Sequence, residues 1–60
     1  MNYVLYVVAL DNRESYLMHM VGAHATRTYD VSLARHFRTA REAYEYGGRK
    51  ALLAWRVGKR

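Results

Sequence analysis

The chain has 60 residues, no cysteine, no proline, 52% apolar residues and a formal net charge of +5. That length holds one small domain with a thin core. The missing cysteine removes disulfides and thiolate-bound metal, and the apolar share is that of a folded chain rather than a disordered one. The charge is uneven: residues 1–30 sum to −1 and residues 31–60 to +6. The second half therefore attracts polyanions, or it serves only as a solubilising surface.

Residues 3–10, Tyr-Val-Leu-Tyr-Val-Val-Ala-Leu, are β-branched and aromatic and predict a strand. Tyr3, Leu5, Val7 and Ala9 fall on one side, and Val4, Tyr6, Val8 and Leu10 on the other. Apolar on both sides, this strand belongs in the middle of a sheet. Eight apolar residues are far fewer than the roughly 20 of a membrane span. With no basic segment before them and no small-residue cleavage site after, they are not a secretory signal either. The expectation is a cytoplasmic protein without a membrane partner. Asp11 to Glu14 is a polar turn, and Ser15 to Val21 returns as a second strand, with Tyr16, Met18 and Met20 on one side.

Residues 22–29 read as a loop. Asp30 to Phe37 reads as a short helical turn, capped by Asp30 or Ser32, with a third strand as the alternative. Thr39-Ala40-Arg41-Glu42 has the spacing of a capping box, in which the Thr hydroxyl and the Glu carboxylate each satisfy a backbone donor of the other. It opens a helix from Ala40 to about Leu52, whose buried stripe of Ala40, Ala43, Tyr44, Gly47 and Ala51 suits close packing on a sheet. Gly48 lies off that stripe and marks an alternative helix end. Residues 53–57 predict the last strand, followed by a frayed basic tail at residues 58–60.

The expected fold is α+β: a hairpin, a short helical turn, one main helix and a final strand. The sheet is antiparallel and three-stranded in the order 2-1-3, with the helix on one side. One helix shields one side of such a sheet. The other side carries Val4, Tyr6, Val8, Tyr16 and Met18, and is the candidate protein interface, because exposed apolar patches of that size mark contact sites. Tyr, Met, Trp and Arg are enriched at such sites, and the chain has six Tyr, three Met, one Trp and eight Arg. The alternative is that the 22–37 segment folds over this side.

A second candidate surface is the start of the main helix. Its free N–H groups favour anions, and Arg35, Arg38 and Arg41 lie near it in sequence. Arg49, Lys50 and Arg56 extend this candidate polyanion contact, with Lys59 and Arg60 beyond. The competing reading is that Thr39 and Glu42 already satisfy the helix end and the arginines only solubilise. Catalysis has little support: Ser32 and His36 are four apart, but nothing orients the histidine as a base. No phosphate-binding glycine loop or zinc-protease motif occurs. The three histidines, His19, His24 and His36, are not spaced as metal ligands, so no metal or cofactor is expected.

The segment from Thr28 to Ala43 resembles a pattern of small phage and prophage-encoded proteins, D-x-S-x-A-x-x-F-x-T-x-x-E-A, set between a hairpin and a helix with a last strand. That resemblance implies a ββαβ fold and a host-takeover role: binding, and redirecting or inhibiting, a host protein or nucleoprotein machine. It carries over no functional residue. The piece Phe37-x-Thr39-x-x-Glu42-Ala43 is also similar to the strand-to-helix junction of AP2-type DNA-binding domains, which place three strands before the helix where two are read here. Three functions follow as expectations: docking on a host protein or nucleoprotein, direct nucleic-acid binding through the arginines, and a homodimer closed by the open sheet face.

Overall fold

The computed structural model describes residues 2–60. Four strands precede or follow a single α-helix: β1 (Tyr3–Val8), β2 (Glu14–Val21), β3 (His24–Thr28), a short 3₁₀ turn (Val31–Leu33), α1 (Ala40–Arg49) and β4 (Arg56–Lys59). The sheet is antiparallel in the order β3-β2-β1-β4. The α+β class, the central place of β1 and its flanking by β2 and the last strand follow the sequence-based expectation. The strand count does not: there are four strands, and three of them precede the helix.

The additional strand lies in the segment expected to be a loop. Gly22 has φ +60° and stands first in the two-residue turn that joins Val21 to its partner His24. Glycine there gives the turn a twist that suits a hairpin. The strand it launches, His-Ala-Thr-Arg-Thr, is mostly polar because it forms the sheet edge. The β1–β2 turn uses the same device with a different residue: Asn12 has φ +66°, and the Asn12 N–H donates to the Ala9 carbonyl at 3.0 Å.

Pairing between β1 and β2 covers only Tyr6↔Tyr16, Val7↔Ser15 and Val8↔Glu14. Beyond it β2 carries an irregularity between Leu17 and His19 in its pairing with β3, which bends the strand. Residues 35–37 enter the gap. The Arg35 N–H donates to the Leu17 carbonyl at 2.7 Å, and Tyr3 and Phe37 exchange N–H to carbonyl bonds of 2.9 and 2.8 Å. The crossover to the helix thereby satisfies backbone groups that the splayed strands leave open.

The core lies between this side of the sheet and α1. Leu5, Leu17, Phe37 and Ala43 form its buried centre, with Tyr3, Met20, Ala25, Tyr46, Leu52, Trp55 and Val57 packed around them. Of the expected stripe, Ala43 and Gly47 are buried, and a Cβ on Gly47 would lie 3.5 Å from Leu5 Cδ2. Tyr44 is exposed, Ala51 is exposed beyond the helix, and Tyr46 packs on the core instead. Thr39 caps the helix by accepting from the Glu42 N–H at 3.1 Å, the threonine half of the expected box.

The helix ends at Arg49 rather than Leu52. Ala51 takes φ +57°, and the Leu52 and Ala51 N–H groups donate to the Gly47 and Gly48 carbonyls at 2.8 and 3.2 Å. That is a Schellman closure with alanine where glycine is usual. It delays β4 to Arg56, so the expected strand at residues 53–57 is shifted toward the end of the chain. Gly58 and Lys59 are strand residues, not a frayed tail. Arg60 is tied to Asn2 by backbone bonds of 2.9 and 3.4 Å.

Candidate functional site: the uncovered face of the sheet

Leu5 faces the helix, so its neighbours Val4, Tyr6 and Val8 face the other way. Tyr16 is paired with Tyr6 and shares that side. Met18 lies at the irregularity in β2. The helix α1 lies against β1 and β4 on the Leu5 side, and the 3₁₀ turn touches β2. Val8 is 42% exposed, and Tyr6, Tyr16 and Met18 are part-buried. Val4, expected in the interface, is fully buried, so its end of this side is covered and Val4 offers no contact surface.

A polar clasp runs across the aromatic part of this face. Arg60 lies over the Tyr6 ring, 4.8 Å from its centroid. Its Nη2 donates to both Glu14 carboxylate oxygens, at 2.9 and 2.8 Å, and its Nε donates to Oε1 at 3.2 Å. The Tyr16 hydroxyl donates to the same Oε1 at 2.9 Å. These bonds hold the Glu14 carboxyl below the usual carboxylate range, Arg60 contributing most and Tyr16 next. The Tyr16 hydroxyl is pushed up by its bond to Glu14.

Gly58 makes room for the clasp. It pairs with Val4, and a Cβ on it would meet Tyr6 Cε1 at 2.7 Å and Arg60 Nη1 at 2.8 Å. Sequence reasoning placed Arg60 at the end of the polyanion contact and had no signal for Glu14 or for the pair, because 46 residues separate them.

The basic residues expected to act together are divided between places. Arg38 and Arg41 lie at the start of α1, and Arg41 makes a loose, exposed pair with Glu45 at 3.5 Å. Arg49 and Lys50 lie at the other end, about 12 Å along the helix axis. Arg56 lies on β4, opposite Tyr6. Arg35 is drawn into packing: its guanidinium is 4.6 Å from the Tyr46 ring centre and 5.6 Å from that of Phe37. Such stacking uses its flat cation structurally.

Ser32 and His36 are engaged separately. The Ser32 hydroxyl donates to Asp30 Oδ1 at 2.7 Å, and the His36 Nε2 lies 3.1 Å from the Val31 carbonyl. Among the described residues no group of three His, Asp or Glu side chains converges as a metal site. No helix among them is long and apolar enough to cross a membrane. The chain is thus a small α+β protein whose sheet is backed by one helix. It matches no protein-family profile, no curated protein and no solved structure.

Proposed function

We propose that this protein is a non-catalytic binding module that docks on another protein, or on a nucleoprotein complex, through the sheet face opposite α1. What supports this reading is the coverage of the sheet. The helix lies on the Leu5 side, while Tyr6, Tyr16, Met18 and Val8 remain partly exposed on the other. Aromatic and thioether surface crossed by an arginine–glutamate pair has the composition of a protein contact. The phage-type resemblance makes the partner a machine of the host cytoplasm, whose action the bound protein modulates or inhibits. No cofactor enters this function.

The test is capture of partners from a bacterial lysate with and without nuclease. Binding should survive nuclease and the Arg38→Ala, Arg41→Ala double variant. It should be lost in Val8→Asp combined with Met18→Asp. Loss on nuclease treatment alone, with the sheet variant unaffected, refutes the reading.

Direct nucleic-acid binding is the second reading. It is favoured by Arg38 and Arg49, both exposed and without an acidic partner among the described residues. It predicts affinity for naked DNA or RNA that falls steeply with salt, with a slope flattened by Arg38→Ala and Arg41→Ala. Closure of the same sheet face in a homodimer predicts a concentration-dependent dimer in sedimentation, which a strict monomer excludes.

A further inference from the structure

The outer edge of β4 is open and differs chemically from the far face. The backbone bonds between Arg60 and Asn2 set the alternation along the β1–β4 pair. Gly58 and Arg56 turn their backbone groups toward β1, and Val57 and Lys59 turn theirs outward. The Tyr3 bonds to Phe37 agree, since Tyr3 faces Lys59 in register and bonds away from it. The Lys59 carbonyl is taken by Arg60 Nη1 at 2.9 Å. The Val57 N–H and carbonyl and the Lys59 N–H have no partner among the described residues.

Beside this edge lies a cleft of about 270 Å³, walled by Leu5 and Val57 from the sheet, Tyr44 and Gly48 from the helix, and Leu53 and Trp55 from the connection between them. Leu53 is 89% exposed and Tyr44 65%. The surrounding charge has one sign: residues 46–60 hold Arg49, Lys50, Arg56, Lys59 and Arg60 and no acidic residue.

We infer that β4 takes up an acidic extended segment of another protein as a fifth, antiparallel strand. A residue of that segment opposite Val57 shares its side of the sheet, so an apolar side chain there enters the cleft. The next residue stands opposite Arg56, and the residue two before it stands opposite Lys59. The pattern recognised is acidic–x–apolar–acidic. A second copy paired about Gly58 sets Arg56 against Arg60 twice, and like charges directly opposed repel. A copy paired about Val57 lacks that clash but brings no acidic residue to Arg56 and Lys59, and the free protein's oligomeric state tests it. The edge adjoins the far face at Arg56, the partner of Tyr6, while Val57, Lys59 and the cleft lie on the helix side.

The probe is the capped peptide Thr-Glu-Thr-Leu-Glu-Val-Thr, titrated into the labelled protein and followed by amide NMR and hydrogen exchange. Binding should protect the Val57 and Lys59 amides and leave those of β3 unchanged. Replacing both glutamates with lysine should abolish binding. Lys59→Pro, which removes an outward N–H that β1 does not use, should bind about fivefold more weakly than Lys59→Ala, the loss of roughly one hydrogen bond. Equal binding by those two variants overturns strand addition, as does protection of the Val57 and Lys59 amides in a dimer without peptide. Binding of a short DNA duplex at this edge, with none of the peptide, overturns the acidic-peptide partner. Each readout stays on the β4 edge, so failure here leaves far-face docking standing, and loss of far-face capture leaves this titration unaffected.

Discussion

Arg60 reaches across the uncovered side of the sheet to Glu14 and holds both carboxylate oxygens with a single nitrogen, at 2.8 and 2.9 Å. The pair joins the last strand to the second over the strand between them. It thereby braces the three strands on the side opposite α1.

This bridge makes stability depend on pH in a defined direction. The Glu14 carboxyl is lowered in the fold, by Arg60 first and Tyr16 second. Its contribution is complete above the ordinary carboxylate pKa and disappears as the pH falls through the lowered folded value. Tyr16 is raised by Glu14, so its contribution is complete at neutral pH and is lost as the pH rises past the ordinary tyrosine range. Arg60 and Glu14 side chains are 30% and 32% exposed, so solvent screens the pair. Urea melts of wild type and Glu14→Gln should differ by less than about 1 kcal/mol at neutral pH. The gap should close in acid and narrow with salt; a gap that persists in acid rejects the bridge as its cause.

Gly58 and the bridge should prove energetically coupled. In Gly58→Ala the new methyl displaces the Tyr6 ring and the Arg60 guanidinium, and both can swing away because they are side-chain ends. We expect a loss of about 1 kcal/mol from Gly58→Ala. The same substitution in a Glu14→Gln background should cost measurably less, because the bridge is already gone. A double-mutant cycle by chemical denaturation reads the difference, and strict additivity contradicts the coupling.

Ala51 carries the backbone cost of ending the helix. Its φ of +57° is a conformation that a side chain disfavours by roughly 1 kcal/mol and glycine does not. Ala51→Gly should therefore stabilise the fold by about that amount and raise Tm by about 5 °C. Calorimetry checks the sign: a lower Tm means that the Ala51 side chain gives back more in contacts than its backbone costs.

Gly48 offers a gain of another kind. It lies inside α1, and a methyl group added to it would have nothing within 4 Å, so Gly48→Ala adds helix propensity without a clash. The expected gain is about 1 kcal/mol. Gly47→Ala should also be tolerated, since its methyl would make ordinary contact with Leu5 at 3.5 Å. Thermal melts of the two single variants test both statements, and a destabilised Gly48→Ala would contradict the open space beside that residue.

What was legible in the sequence followed local pattern. The doubly apolar run at residues 3–10 placed β1 in the middle of the sheet, although the strand stops at Val8 and leaves Leu10 exposed. The Thr39 spacing fixed the helix start, and the small-residue stripe put Gly47 on Leu5. What escaped depended on backbone geometry or on distance along the chain. β3 was hidden because an edge strand needs no apolar alternation, and its one local sign was Gly22 before it. The helix end differs because alanine, not glycine, takes the left-handed position at residue 51. The basic residues resemble one cluster along the chain, but neighbours in sequence are not always neighbours in space. The bridge that crosses the candidate face joins charges 46 positions apart, which no window of sequence brings together.

Trp55 is the only tryptophan in the chain, and it stands in the wall of the cleft beside β4. The protein consequently carries its own optical reporter at the place where a bound side chain would exclude water. Its ultraviolet emission, shifted to the blue or quenched on titration, reads occupancy of that wall without any attached dye.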